Sequence, residues 1–115
     1  METTVTLECI ADSQLPLRTL EHELKAIHGL KVFFVEPRDQ TAPVLISLGM
    51  NRKDEQADVH IRRIAHTLYE FLHSDEAQQI QITLVTIEGE SINIVALESE
   101  AIRQIIATAY ADQSW

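Results

Sequence analysis

Glycine is scarce in this chain: Gly29, Gly49 and Gly89 are the only three among 115 residues. A phosphate-cradling loop or a dinucleotide fingerprint needs several glycines within a few positions of one another. Neither can be written here. Cysteine is scarcer still, since Cys9 stands alone. That excludes an intramolecular disulfide and fits a reducing compartment. No serine sits in a Gly-x-Ser-x-Gly elbow, so that hydrolase nucleophile is missing. Positive charge is also in short supply, with 9 Lys and Arg against 18 Asp and Glu and a formal net charge of −9. The acidity is spread along the chain: 10 acidic and 6 basic residues up to Asp58, then 8 and 3 beyond it. Such a surface repels phosphate backbones, which argues against nucleic acid as a partner. No apolar run approaches the ~18 residues of a membrane span. Met1-Glu2-Thr3-Thr4 has neither the basic start nor the apolar stretch of a signal peptide. A cytoplasmic chain without membrane contact is the expectation.

What is present is a core. Hydrophobic residues make up 45% of the chain and aromatics only 5%, so the interior should be aliphatic. At this length a single domain is expected, able to bury roughly two-thirds of its unfolded surface without metal or disulfide staples. Val5, Leu7 and Cys9 alternate with Thr4, Thr6 and Glu8, which predicts a first strand over Thr3–Ile10 with Cys9 facing inward. Asp12 and Ser13 are N-cap candidates for a helix that Pro16 can open. Leu17, Leu20, Leu24 and Ile27 then recur at helical spacing, and Gly29 sits where a C-cap glycine belongs.

The run Leu30–Val35 (Leu-Lys-Val-Phe-Phe-Val) predicts a strand in the centre of the sheet. Strand, helix and strand in this order make a βαβ unit with a right-handed crossover. Val44–Leu48, after Pro43, predicts a third strand or a buried loop, with strand the better fit. From about Asp54 a long helix follows, its apolar stripe made of Ile61, Ile64, Ala65, Leu68, Phe71 and Leu72. Ile80–Leu97 then alternates twice around Glu88-Gly89, the pattern of a half-buried antiparallel hairpin. Ser99 is an N-cap candidate for a last helix bearing Ile102, Ile105, Ile106 and Ala109 on one face. The expected fold is an α+β two-layer sandwich: a mixed four- to five-stranded sheet with helices mainly on one face, in the order β-α-β-(β)-α-β-β-α.

Chemistry is harder to find. On the long helix His66, Glu70 and His73 share a face, and His-x-x-x-Glu-x-x-His is a spacing that can hold zinc or move protons. That face lies opposite the apolar stripe and points outward, whereas metal ligands converge into a pocket, so a solvated surface is the expectation. Cys9 on an inward strand face reads as a small core residue and not as a nucleophile. Arg52-Lys53 and Arg62-Arg63 stand near the start of the long helix, but Asp54, Glu55 and Asp58 crowd the same region and neutralise an anion site. No catalytic residue, cofactor or metal is expected. Open sheet edges offer unpaired backbone groups to another chain, and Tyr69, Tyr110 and Trp115 are candidate aromatic anchors for it.

One stretch resembles a known family. The helix Ile61-Arg62-Arg63-Ile64-Ala65-His66-Thr67-Leu68-Tyr69-Glu70-Phe71-Leu72 leads through a strand to Glu88-Gly89-Glu90. The return strand is Ser91-Ile92-Asn93-Ile94-Val95. This C-terminal half resembles the effector-associated constant component family of bacterial conflict systems. The middle of those domains is glycine-rich, whereas Val44–Asp58 here holds Gly49 alone. The resemblance implies an adaptor or regulatory domain that accompanies proteases, nucleases or other effectors and has no active-site residues of its own. The expected partner is another protein, either an effector or a second copy that would give a homodimer. The other reading kept open is a small-molecule-sensing regulatory domain of ferredoxin-like shape.

Overall fold

The computed structural model describes residues 2–37, 39, 42–51, 56–77, 79–86 and 89–111. Five strands and three α-helices follow one another as β1 (Glu2–Ile10), α1 (Leu15–Lys25), β2 (Leu30–Val35), β3 (Val44–Asn51), α2 (Ala57–Leu72), β4 (Gln81–Val85), β5 (Ser91–Asn93) and α3 (Ser99–Ala111), with a 3₁₀ turn at Asp75–Ala77 before β4. The strands form one sheet in the order β2-β3-β1-β4-β5. The α+β two-layer sandwich is therefore the fold. Val44–Leu48 is a strand, and a long one.

The alternation of apolar and polar residues sets the register. Leu7 lies opposite Ile46 on β3 and Leu84 on β4; Ile46 continues to Phe34 and Leu84 to Ile92. One apolar row thus crosses all five strands. A one-residue slip would turn it to the other face, so burial of this row fixes the pairing. Leu17, Leu20 and Leu24 from α1, Ile64 and Leu68 from α2, and Ile102 and Ile106 from α3 close over the same face and are buried with it. α1 rests on β2 and α2, α2 lies between α1 and α3, and α3 reaches back to β1. Each such Leu or Ile contributes about 1.5–3 kcal/mol on burial.

Two expectations need correction. Every neighbouring pair of strands is antiparallel, where a mixed sheet is expected from the βαβ order. β3 inserts between β1 and β2, so the two parallel strands never touch; the first six elements form the split β-α-β arrangement of ferredoxin-like folds. The second concerns β2, which stands at the edge of the sheet and not in its centre. Composition made it look central, and its position leaves Phe33 and Val35 in solvent.

Helix ends also shift by a few residues. α1 starts after Gln14 and ends at Lys25, with Ala26 as its C-cap, and Ser13 Oγ accepts the Leu15 amide at 3.3 Å. Gly29 stands beyond that end, in the turn into β2, with φ +88. A Cβ there would come within 2.8 Å of His60 Nε2. Glycine is required twice over at this position. Gly89, φ +87, supplies the same backbone geometry in the β4–β5 turn, with nothing crowding it.

Candidate functional site

The face of the sheet turned away from the helices is built from the alternate residues of each strand. Its rows are set by the same register: Phe33, Ser47, Thr6, Val85 and Ser91 in one, Val35, Leu45, Glu8, Thr83 and Asn93 in the next. The middle and the β5 side are small and polar, with Thr6 Oγ1 and Ser47 Oγ 3.4 Å apart. Apolar side chains stand at the β2 corner and at the end of β1, where Ile10 is 62% exposed. Phe33 is 57% and Val35 50% exposed, and Leu45 beside them is half-buried.

The two edges of the sheet differ. β5 has three residues. Asn93 occupies its own backbone there: its side chain accepts the Val95 amide at 2.9 Å and donates to Gln81 Oε1 at 3.0 Å. That edge is short and polar, the ordinary protection against strand addition. β2 has six residues with Lys31 as its one charged side chain, and among the described residues no strand pairs along its outer side. The Arg18 guanidinium lies over the Phe34 ring, 3.8 Å from its centroid, and pairs with Glu21 and Glu36. α1 therefore braces β2 from the helix side and leaves its rim open.

The residues singled out in the sequence separate. Tyr69 is half-buried and stacks on His73, with ring centroids 4.1 Å apart. Tyr110 belongs to the interior: it is 2% exposed and its hydroxyl donates to the Leu48 carbonyl at 2.9 Å. It anchors α3 to β3 and offers no surface to a partner. Its spacing of four from Ile106 puts it on the buried stripe, a signal the sequence carries. Trp115 lies outside the described residues, as do Arg52-Lys53, Asp54 and Glu55. Arg62 and Arg63 are exposed on α2.

His66 Nε2 and Glu70 Oε1 are 3.2 Å apart on the exposed face of α2, while His73 Nδ1 turns to the Tyr69 carbonyl at 2.9 Å. Among the described residues no three His, Cys, Asp or Glu side chains group as metal ligands do. Cys9 is buried, and desolvation together with the neighbouring Glu8 charge pushes its thiol up to about 12. It is a protonated core residue, and its place on the inward face follows from the strand alternation. No helix among the described residues is long and apolar enough to cross a membrane.

Shallow clefts also mark the surface of the described residues. One, of about 270 Å³, lies where β1 passes into α1, between Asp12, Ser13 and Pro16 on one side and Asp75 and Gln79 on the other. The second, of about 330 Å³, runs between β5 and α3, lined by Ile92, Ala101, Ile105 and Ala109. No model of a known family, no curated protein and no solved structure matches the chain.

Proposed function

We propose that this chain is a non-enzymatic protein-interaction domain, an adaptor or regulator serving a bacterial effector or defence system. One observation carries the reading: Phe33 and Val35 are exposed on an edge strand of six residues along whose outer side no strand pairs among the described residues. Natural sheets protect such edges, and an apolar one left open suits strand addition by another polypeptide. The resemblance of Ile61–Val95 to components that accompany effectors supports the cellular setting. Tyr69 and Trp115 remain its proposed aromatic anchors; Tyr110 does not. A reducing, cytoplasmic compartment agrees with the lone thiol. The direct test is co-purification from a native host with the wild-type chain and with Phe33→Asp. An effector retained by the first and lost with the second is the expected result; an identical set of captured proteins contradicts the reading.

A second reading rests on the split β-α-β order and on the cleft beside Asp12 and Ser13. It makes the chain a ferredoxin-like regulatory domain that senses a small molecule. Thermal-shift screening against metabolites and nucleotides decides it, because a ligand at 100 times its dissociation constant adds about 2.7 kcal/mol.

A further inference from the structure

We infer that the β2 edge binds the β2 edge of a second copy, antiparallel, across a two-fold axis normal to the sheet near Phe33. The inference rests on reading the chain as an interaction domain and names the partner for one of its surfaces. Composition is the first argument. Leu-Lys-Val-Phe-Phe-Val puts Leu30, Val32 and Phe34 on the helix-covered face and Lys31, Phe33 and Val35 on the open one, and among the described residues β2 has a strand neighbour on one side alone. Pairing two β2 strands makes each of them central in a continuous ten-stranded sheet, and Phe33 is then no longer at a rim.

Charge is the second argument. Leu15–Val35 carries Arg18, Lys25 and Lys31 against Glu21 and Glu23, a formal +1. The rest of the chain therefore carries a formal −10. Two copies repel each other over most approaches, and least along α1 and β2. Glu21 pairs with Arg18 and Lys25 at 3.1 and 3.0 Å, and Glu36, just beyond β2, pairs with Arg18. The carboxylate adjoining β2, Glu36, is thus compensated by Arg18.

Register is the third argument. Strands related by such an axis keep their helices on the same side, so open-face residues meet open-face residues. Phe33 then faces its own counterpart and Val32 faces the second copy's Phe34, both favourable cross-strand pairs. Along the same open face Val35 lies opposite the second copy's Lys31, so the apolar contact centres on the Phe33 pair. An isologous contact of this kind closes on itself and stops at two copies. A single strand edge with these side chains falls at the small end of specific interfaces, about 1,200 Å² or less. The dimer should accordingly dissociate on dilution.

The test is light scattering from low micromolar to submillimolar concentration, with the wild-type chain, Phe33→Asp and, as a control on the other edge, Ser91→Asp. The mass should rise from 13.0 kDa toward twice that value for wild type and Ser91→Asp, and stay at 13.0 kDa for Phe33→Asp with an unchanged circular dichroism spectrum. Phe33→Cys provides a second readout: under mild oxidation it should form a disulfide-linked dimer, which Gln81→Cys should not. A chain monomeric at every concentration overturns the inference, as does a dimer indifferent to Phe33→Asp and unlinked by Phe33→Cys. A monomer that still retains an effector through β2 overturns the second copy and leaves the adaptor reading standing. A dimer that retains no effector does the reverse.

Discussion

The phenolic hydroxyl of Tyr110 donates to the backbone carbonyl of Leu48 at 2.9 Å, 62 residues away in sequence. This one bond joins the last helix to the strand beside β1. It also explains why Tyr110, with 2% of its surface exposed, serves the core. Tyr110→Phe keeps the ring and removes the bond, leaving a buried carbonyl short of a donor. A loss of about 1–2 kcal/mol is expected, seen as a fall in Tm of roughly 3–12 °C. Tyr110→Ala should cost about 3–5 kcal/mol by opening a cavity as well. Equal midpoints for the wild-type and Phe chains in thermal denaturation would contradict this role.

The two left-handed glycines should respond unequally. Gly89→Ala meets only the backbone cost of a positive φ, about 1–2 kcal/mol, since nothing lies within 4 Å of its added methyl. Gly29→Ala meets the same cost and also drives the methyl to 2.8 Å from the ring of buried His60. Urea titration should rank Gly29→Ala as the less stable of the two. The reverse order would mean that His60 moves aside freely.

Acid should weaken α1 through Glu21. Burial alone would raise its carboxyl, but hydrogen bonds from Lys25 and Arg18 outweigh burial and hold it below its ordinary value of 4.5. A carboxylate with a folded value below its unfolded one stabilises the protein above the unfolded value. That contribution is lost as pH falls through the folded one. Stability should thus fall with decreasing pH from about 4.5 downward, and Glu21→Gln should flatten that part of the profile. An unchanged slope in the variant would remove Glu21 from the account.

Cys9 should be inert in the folded chain. Its thiol, pushed up to about 12 by burial and the Glu8 charge, is protonated at neutral pH, and only the thiolate attacks alkylating reagents. Labelling should proceed at the rate of global opening and accelerate with denaturant. Rapid stoichiometric labelling of native protein would show that β1 is not buried as described.

These elements differ in how far the sequence revealed them. The period-two patterns of Thr3–Ile10 and Ile80–Leu97 and the 3.6-residue stripe of α2 are local signals, and each is found where it was expected. Sheet order is not local. Leu30–Val35 looks central because its composition matches a buried strand, and nothing in those six residues says that β3 will take the place beside β1. The mixed sheet went the same way, since one inserted strand turns every neighbouring pair antiparallel. Phe33 and Val35 became visible as surface residues only once β2 stood at the edge. Tyr110 was legible in principle, four residues beyond Ile106 on one helical stripe.

The most direct measurement is amide hydrogen exchange along both edge strands as protein concentration rises. Protection should grow at Leu30–Val35 while Ser91–Asn93 stays unchanged, because association seals one edge and leaves the other in water. Concentration-independent exchange in β2 by a chain that remains at 13.0 kDa would contradict the claim that this edge receives a second copy.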